Sequence, residues 1–344
     1  MQVYRPIRLN VDGHVAGIED IHAHLIPLSV VERLVTEGRA RYDDGRLLLP
    51  SEVSGFESSV PLLITPAFYD QAVRRAWMRE RRIARQYLSV PPFFFAYGTQ
   101  AQHGAALARL ANDDLAAAVD AAPHAFCALA TLPLQDVELA LAEFDRTTAL
   151  GFAGVAIGSN IAGVELDDPR LEPFWGACAR RDALVFIHPH HQVGSARMRE
   201  YYLHNCVGNP EETGLAAARL IFGGVLERHR LRVVLSHAGG VLPQIVGRLD
   251  HAYAVRPECK TIPQPPSAYA ARLFYDTIAH DVRALRDLID RVGAAQVVVG
   301  TDAPFDMGVD DPGAVLDALE LDARERDAIA FGNLRALVTR TAVA

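Results

Sequence analysis

Cysteine is scarce. The 344 residues contain four, Cys127, Cys178, Cys206 and Cys259, and none sits in a C-x-x-C pair. That argues against a disulfide framework. It points to a reducing compartment, and the cytoplasm is expected. Long apolar runs are missing too. No stretch reaches the roughly 18 residues that a membrane crossing requires, and the opening "MQVYRPIRLNVDGHVAG" lacks the apolar segment of a secretory signal. Positive charge is in deficit: 34 Lys and Arg against 42 Asp and Glu, a net −8. The densest basic stretch, "VRRAWMRERRIARQY" at 73–87, has helical spacing and reads as the wet face of a helix. A nucleic-acid surface is therefore not expected. Neither a G-x-G-x-x-G nor a G-x-x-x-x-G-K-[ST] loop follows the first strand, which weakens a nucleotide-binding reading.

What is present is alternation. Half of the chain is hydrophobic, and short apolar runs alternate with alanine-rich amphipathic segments. The expected strands are 16–23, 92–98, 125–132, 151–158, 183–188, 231–237, 273–278 and 296–302. The expected helices are 67–89, 104–120, 135–149, 170–181, 211–228, 241–255, 281–291, 312–319 and 324–336. Several strands are continuous apolar runs, as in parallel sheets covered on both faces. Eight such units fit an α/β fold of the (β/α)8 TIM barrel type, as one domain over 1–344. Three stretches break the rhythm. Residues 30–66, after the first strand, read as a small insertion, a hairpin lidding the barrel mouth. Residues 189–210 form a long loop expected to be functional. The proline-rich 256–270 is expected to cross the outside of the barrel.

A barrel of this type carries its chemistry at the C-terminal ends of its strands. The first strand ends in "DIHAH", at His22 and His24, whose i, i+2 spacing puts both side chains on one side of a strand. The fifth ends at His188, with His190 and His191 beyond. The sixth ends at His237, before Gly239 and Gly240. The eighth ends at Asp302, and the fourth leads into Ser159 and Asn160. His22, His24, His188 and Asp302 make an N3O donor set for one divalent metal with a position left for water. A borderline ion such as Zn2+ suits it, and Mn2+, Fe2+ or Co2+ would also be accepted. His237 reads as a proton carrier, with a fourth ligand as the alternative, and Asp302 as a group that touches the metal and also accepts a proton. Asn160, His190 and His191 are expected near the substrate. The other histidines read as surface or cap residues, His280 among them although it follows a strand end. Trp175 and Phe93 to Phe95 read as core.

"DIHAH", "FIHPH", "LSHAGG" and "GTDAPF", with "ALATLPLQD", "GVAIGSNIAGVELDDPRLEPFW", "HAGGVLPQIVGRLDHAY" and "FGNLRAL", resemble the amidohydrolase superfamily. They are closest to its branch typified by 2-amino-3-carboxymuconate-6-semialdehyde decarboxylase. The resemblance runs from about 17 to 337 and is weakest over 30–100. It implies a distorted barrel with one metal, usually zinc, held by residues matching His22, His24, His188 and Asp302. The acid–base histidine matches His237. An arginine that crosses to the neighbouring subunit's site matches Arg248, which implies a homodimer. The bridging lysine of binuclear relatives has no counterpart. Two departures stand where substrate is recognised: no arginine lies in "LLLPSEVSGFESSV", and His190 replaces a tryptophan after the fifth strand. The expected function is non-oxidative decarboxylation of an unsaturated or aromatic, anionic carboxylic acid. Metal-dependent hydrolysis or hydration is the alternative.

Overall fold

The computed structural model describes residues 17–56, 61–190 and 197–338. Its strands are β1 (Ile18–His24), β2 (Ile83–Ser89), β3 (Phe126–Ala130), β4 (Gly154–Gly158), β5 (Leu184–His188), β6 (Arg232–Leu235), β7 (Phe274–Asp276) and β8 (Val297–Val298). They lie side by side in chain order, and every neighbouring pair is parallel. The chain after β8 then runs along β1. Ile21 N donates to Val299 O at 2.9 Å, His24 N to Ala303 O at 2.8 Å and Asp302 N to His22 O at 2.7 Å. These bonds close a (β/α)8 barrel whose seam is irregular, and the register of β1 on β2 also slips between Asp20 and Ala23. Such slips re-aim side chains at barrel rims.

The principal helices are α1 (Leu28–Thr36), α2 (Gln71–Glu80), α3 (Ala101–Ala121), α4 (Val137–Ala149), α5 (Glu172–Arg180), α6 (Asn209–Phe222), α7 (Leu242–Val255) and α8 (Val282–Val292). None of the helices among the described residues is long and apolar enough to cross a membrane. The apolar residues divide as the barrel demands. Ile21, Tyr87, Leu129, Ala156, Phe186, Val234 and Val298 pack together inside, with Leu334 and Leu337 from the C-terminal helix. Their strand neighbours Val155, Ile157, Val185, Ile187, Val233 and Leu235 pack in the larger outer core. Trp175 is fully buried there, its indole N–H donating to Leu166 O at 2.8 Å.

The second strand corrects the sequence reading. It is 83–89, not 92–98, and the helix expected over 67–89 stops at Glu80. Arg82 takes a φ of 57°, which terminates the helix. Pro91 and Pro92 lack the N–H that a central strand must donate, and Pro92–Phe94 forms a 3-10 turn. The arginine spacing that suggested one long helix spans the junction of a helix and a strand. Arg74 also departs from the solvated face expected of it: it is 4% exposed. The insertion holds a hairpin, Arg41–Asp43 against Arg46–Leu48, extended by Leu62–Leu63. Its later part reaches the rim, where the Phe56 ring meets those of Phe93 and His190. Of the loop after β5, residues 204–208 form a π-helical turn leading into α6.

Candidate metal centre

Four of the strand-end side chains meet. One donor atom from each of His22, His24, His188 and Asp302 lies within 4.8 Å of the others, and all four residues are buried. His22 Nε2 and His24 Nε2 are 3.1 Å apart. Asp302 Oδ1 is 3.0 Å from His24 Nε2 and 3.3 Å from His22 Nε2, but without the alignment of a hydrogen bond.

The outer nitrogens of His22 and His188 decide what their inner ones offer. His22 Nδ1 donates to Asp276 Oδ2 at 2.7 Å and His188 Nδ1 to Pro189 O at 3.0 Å. Those acceptors require the proton on Nδ1, so Nε2 is the nitrogen each ring offers to a cation: already a lone pair on a neutral ring, and on a charged one once its second proton leaves. His24 Nδ1 lies 3.2 Å from Ser89 Oγ. Lone pairs crowded against a carboxylate oxygen in a buried nest fit a divalent cation. A bound cation would be held by His22, His24, His188 and Asp302.

The electrostatics follow from burial and proximity. Burial disfavours a charged His22, yet the carboxylates of Asp302 and Asp276 outweigh it and raise its pKa to about 10. Burial, reinforced by the neighbouring imidazoles, pushes His188 well below the ordinary histidine range. Burial would raise Asp302, but His22 holds it well below the usual carboxylate range.

His237 stands beside the nest. Its ring centroid is 5.2 Å from that of His22 and 5.1 Å from that of His188, and its Nε2 is 3.7 Å from Asp302 Oδ2. It has a φ of 53°, as do Ala238 and His280, while Asp302 has 59°. Non-glycine residues held in this region cost of order 1 kcal/mol each and mark sites where aim outweighs backbone preference. Two glycines make the turn possible. A Cβ on Gly239 would stand 2.5 Å from the Tyr275 ring, and one on Gly240 2.2 Å from Pro210 O.

A cavity of about 230 Å³ opens from His237 and Asp302, lined also by Asn205, Gln244, His280 and Met307. His280 is exposed, as expected of a surface residue, and also lines the cavity. Aromatic rings pack beside the cluster: Phe305 on His24 with centroids 5.5 Å apart, and Phe93 on Phe305 at 5.8 Å.

Of the other candidates from the sequence, none that is described joins the ligand cluster. Asn160 is buried, and its Nδ2 donates to His190 O at 2.6 Å and to Glu212 Oε1 at 2.8 Å, so it braces the chain leaving β5. The His190 ring is buried among Phe56, Phe95 and Tyr97. Arg248 is exposed on α7 and does not line this cavity. His191 lies outside the described residues.

Three supporting residues were given no role in the sequence reading. Asp276 ends β7 and orients His22. Asp20 accepts from His22 N at 3.1 Å, Thr301 N at 3.0 Å, Thr301 Oγ1 at 2.6 Å and Gln86 Nε2 at 2.9 Å, tying the two sides of the seam. Arg74 donates to Gln86 Oε1 and to His24 O. For Asp276 and Asp20 a signal existed: an acidic residue at the end of one apolar strand and inside another. Arg74 had none, because its spacing matches an exposed helix face.

The amidohydrolase family model matches residues 20–339. The chain is 37% identical over 256 residues to 2-amino-3-carboxymuconate-6-semialdehyde decarboxylase of Dictyostelium discoideum, covering 73% of this chain and 71% of the relative. It superposes on the crystal structure of 5-carboxyvanillate decarboxylase from Sphingomonas paucimobilis with a TM-score of 0.81 and 26% identity, over 94% of this chain and 99% of that one. It shares its fold with a dihydroxybenzoic acid decarboxylase from Polaromonas, solved with bound manganese and the inhibitor 2-nitroresorcinol (TM-score 0.77, 23% identity, 95% and 98% covered). The extent of these matches and the histidine–aspartate nest at the rim place the chain in the amidohydrolase superfamily, in the branch close to the 2-amino-3-carboxymuconate-6-semialdehyde and resorcylate decarboxylases.

Proposed function

We propose that this enzyme removes CO2 from an unsaturated or aromatic carboxylic acid at a single divalent metal, with His237 as the proton carrier. The observation that supports these roles is the placing of His237: next to the ligand cluster, 3.7 Å from Asp302, and open to the cavity. A bound divalent ion supplies Lewis acidity toward substrate oxygens. The chain's own residues do the rest. His237 protonates the carbon that bears the carboxylate. The bond to CO2 then breaks, and its electron pair returns to the conjugated system. Asp302, 3.7 Å from His237, exchanges a proton with it once the two side chains close to hydrogen-bond distance, and the Phe305 and Phe93 rings give a flat substrate an apolar wall.

The donor set suits zinc, and zinc is the ion we assign to it; elemental analysis of protein purified without added metal checks this, and manganese in its place would overturn it. Arg248, exposed on α7, supplies the substrate's anion contact across a homodimer, together with His191. Asn160 and His190 act on substrate by holding the rim. The compartment is the cytoplasm, and a net charge of −8 gives no reason to expect a nucleic-acid partner.

The test is a panel of hydroxybenzoic and conjugated carboxylic acids followed by mass spectrometry. Loss of the mass of CO2, abolished in His237→Asn, is expected. Gain of the mass of water would overturn decarboxylation in favour of hydrolysis or hydration.

A further inference from the structure

Asp276 is wholly buried at the end of β7 and makes more contacts than a single ligand support requires. Its Oδ2 accepts from His22 Nδ1 at 2.7 Å. Its Oδ1 accepts from Ala238 N at 2.8 Å and from Ile278 N at 3.0 Å. One oxygen therefore faces a metal ligand. The other faces the turn that carries His237 and the chain leading to His280.

We propose that Asp276 is a positioning residue that couples the metal centre to the His237 turn. The proposal rests on the reading of the histidine–aspartate cluster as a metal site. Three donors converge on this side chain, and only a carboxylate, with acceptors on both oxygens, satisfies them all. The turn needs such a hold, because His237 and Ala238 both occupy left-handed backbone conformations. It is packed from the same strand as well, since Gly239 lies against the ring of Tyr275, the residue before Asp276. Asparagine at 276 would present one amide N–H₂ to a donor. If that group faces His22, it favours the tautomer with hydrogen on Nε2, the atom needed by the metal. If it faces Ala238, the turn loses its acceptor. The shape of the side chain is kept in either case, so the two effects are electronic and not a matter of volume.

The test uses the full chain and needs no substrate. Zn2+ affinity is measured by competition with a chromophoric chelator, and hydrogen exchange is followed in the segment 236–241. In the unaltered protein, saturating Zn2+ is expected to slow exchange of that segment. Asp276→Asn is expected to lower Zn2+ affinity by about 10–100-fold. Exchange of 236–241 should rise by about tenfold or more and no longer respond to saturating Zn2+, while core strands keep their protection. Asp276→Glu, which retains both acceptors, is expected to recover part of the affinity and of the Zn2+ response; it carries the test if the asparagine variant does not fold. Unaltered affinity, or an exchange rate that does not move, would overturn the coupling while leaving the metal site standing. A wild-type chain that takes up no Zn2+, Co2+ or Mn2+ would overturn the metal reading itself, and the coupling with it.

Discussion

At the scale of single residues, the centre is defined by which imidazole nitrogen is free. Asp276 and Pro189 O take the outer N–H of His22 and His188, so the inner nitrogens face one another. Removing a ring removes a ligand: His22→Ala and His188→Ala are expected to purify with less than about one-tenth of the wild-type metal content, measured by elemental analysis. His237→Asn should keep its metal and lose turnover by about 100-fold or more, measured as CO2 release. A metal-free His237→Asn protein would instead make His237 a fourth ligand. The nest also predicts a pH dependence. With its pKa raised to about 10, His22 carries a proton near neutrality until a cation replaces it, whereas the depressed His188 is already neutral. Metal uptake should therefore release about one proton, and affinity should rise with pH. Titration of Zn2+ into weakly buffered protein with a pH indicator reads this directly; uptake without acidification would contradict it.

At the scale of elements, two short connections at the rim are held in different ways. The turn after β6 passes through Gly240 at a φ of 59°, with space for a Cβ already taken by Pro210 O. Gly240→Ala is therefore expected to destabilise the fold by about 2 kcal/mol or more, through backbone strain and overlap together. A shift in the urea midpoint measures it. The entry to α8 is of a different kind. Asp281 caps the helix by accepting from Arg283 N at 2.7 Å and Ala284 N at 3.2 Å. Asp281→Ala should cost only about 1 kcal/mol, the ordinary worth of such a cap. The contrast separates a position where geometry forbids a side chain from one where a side chain merely completes a helix end. The element hardest to read was β2. Its sequence "IARQYLS" carries Arg85 and Gln86 among its apolar residues, and the preceding helix shares its arginine content. Local pattern could not find the boundary, because Gln86 is buried for a tertiary reason: it bridges Arg74 and Asp20.

At the scale of the whole molecule, a bound metal would tie β1, β5 and the segment after β8 to one point through His22, His24, His188 and Asp302. A cation that binds only the folded state stabilises it by mass action, about 2.7 kcal/mol at a free concentration 100 times its Kd. Chelation is therefore expected to lower the unfolding temperature, and restored zinc to raise it again. A calorimetric scan with and without chelator checks this. An unchanged melting temperature at demonstrated metal loss would mean that the barrel closes without the cation. The backbone bonds that join Ile21, His22 and His24 to 299–303, with Asp20 braced against Thr301, form the part of that closure owed to the protein alone.

The sequence by itself determined the barrel and the four side chains that cluster at its rim. Strand alternation is a local property, and so is an apolar strand that ends in histidine or aspartate. His22, His24, His188 and Asp302 were legible because barrel topology brings strand ends together whatever lies between them. Tertiary structure alone decided the supports. Whether Asp276 holds a ligand, Arg74 is buried, His280 faces the cavity or Asn160 turns toward Glu212 depends on a neighbour far away in the chain. A short sequence window records a residue's own periodicity, and these roles are set by the partner that folding supplies.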